Sequence, residues 1–210
     1  MSTPKPIRGA RFLKFRCTDC GNCCTDTIVP ITDHDVRRLI EPGRPAETFI
    51  NFYPRREFDD RAPELAWIHL EEGRRVMALK KQPGSEACHF LKELRCSAYE
   101  QRPITCRVFP YQVEFDAKGK VNRFYISQAV PCPYQLDGKV NLPQVVRDWD
   151  QDDEQDLEYS IKVEEFNALP RPRTRDGFLQ FLGLASPNPA LRMAEPEPKA
   201  LSRRKAAGKA

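Results

Sequence analysis

No apolar run in the 210-residue chain approaches the length of a membrane span, and the mean hydropathy is −0.62. A bilayer core needs about 20 consecutive apolar residues, so no spanning helix is expected. Met1 to Arg16 is basic but lacks the apolar stretch of a secretory signal, which predicts an uncleaved, soluble, cytoplasmic chain. Also missing are a phosphate loop, a dinucleotide fingerprint, and a nucleophile with its base and oxyanion donors. The usual kinase, dehydrogenase and hydrolase signatures are therefore absent. No internal repeat is evident. Charge of one sign is scarce as well, with a net of +4. Between Ala190 and Ala210, Arg192, Lys199, Arg203, Arg204, Lys205 and Lys209 face Glu195 and Glu197. The surplus thus belongs to the tail, and residues 185–210 read as a disordered, solvated end. With no RNA- or DNA-binding motif, no nucleic-acid partner is expected.

Histidine is rare too, with three residues. His34 stands at a helix start, His69 alternates on a strand and His89 follows a cysteine. None has the spacing of a zinc pair, so each is expected to be hydrogen-bonded or exposed rather than a ligand. The acidic run from Asp148 to Asp156 is expected to be a solvated helix face.

Cysteine is what the chain has in plenty, with eight. Four lie within eight residues, Cys17, Cys20, Cys23 and Cys24, in the pattern C-x2-C-x2-C-C. A two-residue gap curls the chain so that both flanking sulfurs face one ion, and the backbone N–H groups between them offset the sulfur charge. The first three resemble the opening ligands of a bacterial-type iron–sulfur loop. Gly21 suits a tight loop that needs positive φ. Cys23 and Cys24 are neighbours that point in different directions. They either divide between two centres or leave one spare thiol. Crowded thiolates repel each other, and a cation relieves that repulsion. In a reducing compartment such clusters read as metal sites before disulfides.

Hydropathy patterning predicts an α+β fold: a small, irregular, metal-organised domain of short hairpins and helices, followed by a helical C-terminal segment. Residues 1–14 form a lead-in and 15–184 one cysteine-cluster domain, with a core over 15–135 and a helical extension over 142–184. The 19 prolines predict irregular connections, so that metal ligation contributes to folding. A helix is expected from Thr32 as cap to Pro42-Gly43, with Val36, Leu39 and Ile40 inward. Ala46 to Phe52 reads as a second short helix. Hairpins are predicted over Trp67–Leu79 and Tyr111–Ile126, the latter turning at Asp116 to Gly119. From Leu142 a helix runs to Pro170, with Val145, Val146 and Trp149 as one apolar patch. Leu157, Ile161, Val163, Phe166 and Ala168 make another. A last amphipathic turn spans Asp176 to Leu184.

Cys88, Cys96, Cys106 and Cys132 complete the set. Cys88-His89-Phe90-Leu91 leads to Cys96-Ser97-Ala98-Tyr99-Glu100-Gln101-Arg102-Pro103, then to Cys106-Arg107-Val108-Phe109-Pro110. With Phe15, Cys17, Cys20, Gly21, Cys23 and Cys24, these blocks resemble the cysteine-cluster family of zinc- or iron-chelating proteins. That family is also described as predicted iron–sulfur oxidoreductases of CxxCxxCC type. The resemblance covers about residues 15–135 and implies metal or cluster binding. Cys132-Pro133 resembles the C-P that closes ferredoxin-type loops, although its distance from the triplet rules out a ferredoxin fold.

All eight cysteines, Cys17, Cys20, Cys23, Cys24, Cys88, Cys96, Cys106 and Cys132, are candidate metal ligands. Arg102 and Arg107 are candidates to neutralise an anionic centre; surface ion pairing, for example with Glu100, is their other reading. The leading expectation is an iron–sulfur protein with a [4Fe–4S] cluster serving electron transfer. Eight ligands are enough for two centres. The rival is Zn2+ held for structure or delivery, without catalysis. Thiol–disulfide redox at Cys23-Cys24 is a third reading, weakened by the absence of a βαβ context. The partner expected is a redox or metal-delivery protein.

Overall fold

Thr32 opens the first helix, α1 (Asp33–Ile40), its hydroxyl accepting from the Asp35 N–H at 3.4 Å. The Asp35 carboxylate accepts from the Thr32 N–H at 3.0 Å, so each residue satisfies a donor the helix leaves free. The computed structural model describes residues 7–25, 27–40, 43–58, 66–128 and 130–184. Pro42 and the expected tail lie outside these residues.

Ala46–Phe49 makes one turn, α2, and the chain then becomes a strand, β1 (Ile50–Pro54). The expected second helix is therefore corrected beyond Phe49. The run Phe49–Tyr53 is apolar at all positions but Asn51, so it carries neither helical nor strand period. Antiparallel pairing from Ile50↔Leu79 to Pro54↔Arg75 decides the matter. β2 (Ile68–Leu70) and β3 (Gly73–Leu79) form the predicted hairpin across a two-residue turn, and the sheet order is β1-β3-β2. Where β2 stops, Val29–Ile31 continues the same edge. Ile31 N–H donates to Met77 at 3.1 Å and Leu79 N–H to Val29 at 2.9 Å.

A two-residue ladder, β4 (Leu91–Lys92) with β5 (Arg95–Cys96), precedes a short helix, α3 (Ile104–Val108). The second predicted hairpin follows as β6 (Tyr111–Phe115) and β7 (Val121–Ile126). Asp116 organises its turn, accepting from the N–H groups of Lys118 and Lys120 at 2.8 and 3.0 Å. The long helix α4 (Leu142–Ala168) and the shorter α5 (Arg175–Phe181) complete the mixed α+β architecture.

The main core forms where α4 and α5 lie on one face of the three-stranded sheet. Ile50, Phe52, Ile68, Leu70, Met77 and Leu79 meet Tyr159, Val163, Phe166, Phe178 and Leu179 there. This corrects the second expected stripe of α4. Val163 and Phe166 are buried as read, but Tyr159 joins them, while Leu157 and Ile161 are 65% and 49% exposed. Asn167 closes the free edge of β2, accepting from the His69 N–H at 2.7 Å and donating to the Trp67 carbonyl at 2.8 Å. Among the described residues no helix is long and apolar enough to cross a membrane.

Candidate metal centre

The loop from Cys17 to Cys24 turns at two residues of positive φ, Asp19 at 52° and Gly21 at 75°. Gly21 answers the expected conformational demand. A Cβ there would also stand 3.3 Å from the Leu94 side chain at the tip of the β4–β5 hairpin. The Asp19 N–H points at Cys17 Sγ, 3.4 Å away, as expected of a loop that offsets sulfur charge with backbone donors. Asn22 to Cys24 form a 3-10 turn, stitched by Thr25 and Thr27 hydroxyls donating to the Gly21 and Cys23 carbonyls at 3.0 and 2.7 Å.

Cys132 is brought to this loop by bonds on both of its sides. The Asn22 amide donates to the Pro131 carbonyl at 2.7 Å, and the Thr18 hydroxyl bonds the Pro133 carbonyl. Further along, Arg16 and Gln135 exchange backbone bonds, and Gly138 passes so close that a Cβ would lie 2.6 Å from the Phe15 carbonyl oxygen. Beside the loop, Phe15 packs edge-on against Tyr111 at 5.3 Å and at a tilt against Tyr134 at 5.6 Å, while Tyr111 stacks on Phe124. This aromatic cluster was not legible beforehand apart from Phe15, because Phe15 is far along the chain from Tyr111, Phe124 and Tyr134.

On the other side the Cys88 N–H donates to the Cys24 carbonyl at 2.6 Å. Gln82 fixes the Cys88 loop from within, its amide donating to the Cys88 and Leu91 carbonyls at 3.0 and 2.6 Å. The ladder then sets Cys96 opposite Leu91. Pro103 stands at the cap of α3, and the Ile104 N–H at that helix start donates to Asp35 Oδ1 at 3.0 Å. Asp35, 1% exposed, therefore ties the starts of α1 and α3 together and orients Cys106. Neither Asp35 nor Gln82 was singled out from sequence, where nothing in their spacing marks them.

All eight cysteines are free thiols. The Cys23 and Cys24 sulfurs are 3.9 Å apart. Cys23 is lowered to about 7, first because it accepts from Cys24 and also because the Arg102 charge reaches it. Cys24 is correspondingly raised, by that donation and by burial. Burial pushes up Cys17, Cys88, Cys106 and Cys132, the last to about 11, and neighbouring thiolates add to each shift. Arg102 lies over the Tyr99 ring, 3.9 Å from its centroid. Arg107 donates to the Arg102 and Glu100 carbonyls at 3.2 and 3.1 Å, bracing the turn that presents Arg102.

The histidines stand apart from the thiols' hydrogen bonds. His34 pairs with Glu158 at 2.7 Å. His69 sits in β2, and His89 meets the Phe90 ring edge-on. Burial lowers both His69 and His89.

The sequence profile of the CxxCxxCC family, described as a putative zinc- or iron-chelating domain, matches residues 16–133. The chain belongs to the CxxCxxCC family. No curated protein and no solved structure matches it. The CxxCxxCC match runs from the residue before the first cysteine to the residue after the last, so it takes in all eight and stops short of α4. The donor set suits such a domain. Soft thiolates select zinc and iron–sulfur clusters, and the backbone supplies at least one N–H to sulfur. Among the described residues no group of three or more His, Cys, Asp or Glu side chains is arranged to hold a metal ion as they stand.

Proposed function

We propose that the chain holds an iron–sulfur cluster, [4Fe–4S], on the thiolates of Cys17, Cys20, Cys23 and Cys132. In this reading it exchanges electrons with a redox or metal-delivery protein in the cytoplasm. The observation that supports it best is the pair of bonds from Asn22 and Thr18 that brackets Cys132. They bring a fourth thiol, followed by proline, to a C-x2-C-x2-C turn. When bound, the cluster supplies a one-electron couple. The chain's own residues position and tune it. The Asp19 N–H directs a donor at Cys17 Sγ, Arg102 offsets negative charge near Cys23, and Phe15, Tyr111 and Tyr134 keep water from the inner side. Eight free thiols fit a reducing compartment.

Zinc on the same thiolates, structural or held for delivery, is the second reading, and the family description supports it equally. Anaerobic purification separates the two. A brown protein absorbing broadly near ~400 nm, with equal iron and sulfide, supports the cluster. A colourless protein with stoichiometric zinc supports the second reading. A folded, reduced protein with neither metal overturns both.

A further inference from the structure

We propose that the groove between residues 9–12 and strand β7 binds a nucleoside phosphate, with Arg11 and Arg123 taking the phosphate and the planes beside them taking the base. The site is separate from the thiols and does not rest on metal binding. The groove has a volume of about 480 Å³ and is lined by Gly9, Ala10, Arg11, Phe12, Arg123 and Tyr125. That lies within the ~300–1,000 Å³ of small-molecule sites. Backbone bonds build it. The Arg8 N–H donates to the Asn122 carbonyl at 3.0 Å and the Phe124 N–H to the Arg8 carbonyl at 2.9 Å, which lays this segment along β7. Gly9 then passes the strand at φ 77°, where a Cβ would stand 2.2 Å from the Phe124 carbonyl oxygen. Only glycine makes that approach. Gly9 and Ala10 add almost no side chain, so the groove stays open between its two arginines.

The rest of the lining repeats one arrangement. Arg11 lies over the Phe12 ring, 4.8 Å from its centroid, and Arg123 over the Tyr125 ring at 4.5 Å. Both arginines are exposed and both rings half-buried. A guanidinium held on a ring keeps N–H groups for phosphate oxygens and an outer plane for stacking. Glu114 steadies Arg123, accepting at 3.1 Å, and also meets Arg8 at 3.6 Å. Two cations on that one carboxylate leave a positive excess beside the groove. Among the described residues no carboxylate pairs with Arg11, and none lines the groove. Such a surface attracts anions and repels cations. A bare anion would leave the aromatic planes unused, whereas a nucleotide brings a phosphate and a flat base together. A free nucleotide and one within a single strand share this chemistry and differ in length alone.

The test is titration of the full chain, isolated anaerobically, with adenosine monophosphate, adenosine, inorganic phosphate and a short single-stranded adenylate oligomer. Adenosine monophosphate is expected to saturate one site, with adenosine and inorganic phosphate each at least about tenfold weaker. Arg11→Ala and Arg123→Ala should each weaken the nucleotide about tenfold, and Arg11→Lys less than Arg11→Ala because it keeps the charge. An oligomer that binds more tightly, and loses this in the same variants, identifies a strand as the source of the ligand. An oligomer no tighter than the monomer identifies a free nucleotide, and either result supports the groove. Absence of nucleotide binding at millimolar concentration overturns the proposal, and so does full affinity in both alanine variants. Inorganic phosphate binding as tightly as the nucleotide shows an adventitious ion only and overturns it too. Hydrogen exchange of wild type avoids dependence on variant folding. The nucleotide should slow exchange within residues 8–12 and 122–125, and slowing confined to other segments overturns the site.

Discussion

The Arg102 guanidinium lies over the Tyr99 ring, and its positive charge helps to lower the Cys23 thiol. On a bound cluster the same charge favours the more negative, reduced state. Arg102→Ala is expected to shift the midpoint potential downward by a few tens of millivolts, about what ~1 kcal/mol of charge interaction yields for one electron. Redox titration measures it, and an unchanged potential removes Arg102 from the site. Arg102→Lys should fall between, since lysine keeps the charge but not the planar stacking. Asp152 lies within the acidic run read as a solvated helix face but is partly buried there, which corrects that reading at this position and gives the residue a measurable signature. Burial, then the Asp156 charge, raise it from 3.8 to about 7, although it accepts from the Thr105 hydroxyl at 3.1 Å. Across that interval the folded chain keeps a proton that the unfolded chain has released. Stability contributed by this group is therefore full at low pH and falls as pH rises toward about 7. Asp152→Asn should stabilise the protein at pH ~8, by no more than ~1 kcal/mol after solvent screening, and be near neutral at pH ~4. Denaturant titrations at the two pH values check it, and an equal effect at both rejects the assignment.

Among the elements, α5 depends on one ring. Phe178 is fully buried, with Phe166, Phe52 and Tyr159 ring centroids at 4.9, 6.1 and 6.3 Å. Phe178→Ala is expected to cost about 3–5 kcal/mol, as large cavities in cores do. Leu157→Gln and Ile161→Gln on the exposed side of α4 should change stability by less than about 0.5 kcal/mol. Urea unfolding of the three variants would reverse the proposed facing of α4 if Leu157→Gln were the costliest. The same helix shows how far periodicity reaches. Leu157 and Ile161 are four apart, and so are Tyr159 and Val163, which makes either pair a valid stripe. Docking on Phe178 selects the second. The hairpins were legible because each alternates with period two around a polar turn. β1 was not, since an apolar run broken only at Asn51 fits helix and strand alike until β3 pairs with it.

For the whole molecule, two regions of order meet along β3 and the Cys88 loop. No residue of the Cys17–Cys23 loop is a member of the apolar core of sheet, α4 and α5, whereas Cys88, Phe90 and Ala98 belong to it and Cys24 and Cys96 pack against it. Metal removal is therefore expected to leave the far-ultraviolet helical signal largely intact, because most helical residues lie in α4 and α5. Limited proteolysis should then become faster within residues 15–25, 88–107 and 130–138. Circular dichroism and mapped cleavage sites after anaerobic chelation test this. Global unfolding on chelation would show instead that the metal holds the helices too.

Taken alone, the amino-acid sequence determined the chemistry: eight thiols, three of them at two-residue gaps around a glycine that takes positive φ, in a chain with no apolar run long enough to span a membrane. Those features are local, since spacing and side-chain type decide what a short loop can bind. Which distant segments meet the cysteine loop was decided only in three dimensions. Cys132 lies more than 100 residues from Cys17, and nothing in its own neighbours states that Asn22 and Thr18 will hold it there. The same holds for Asp35, whose bond to the start of α3 orients Cys106 across 69 residues of chain. Long-range hydrogen bonds leave no periodic trace, so the thiols could be named in advance and the contacts that carry Cys132 and α3 to their places could not.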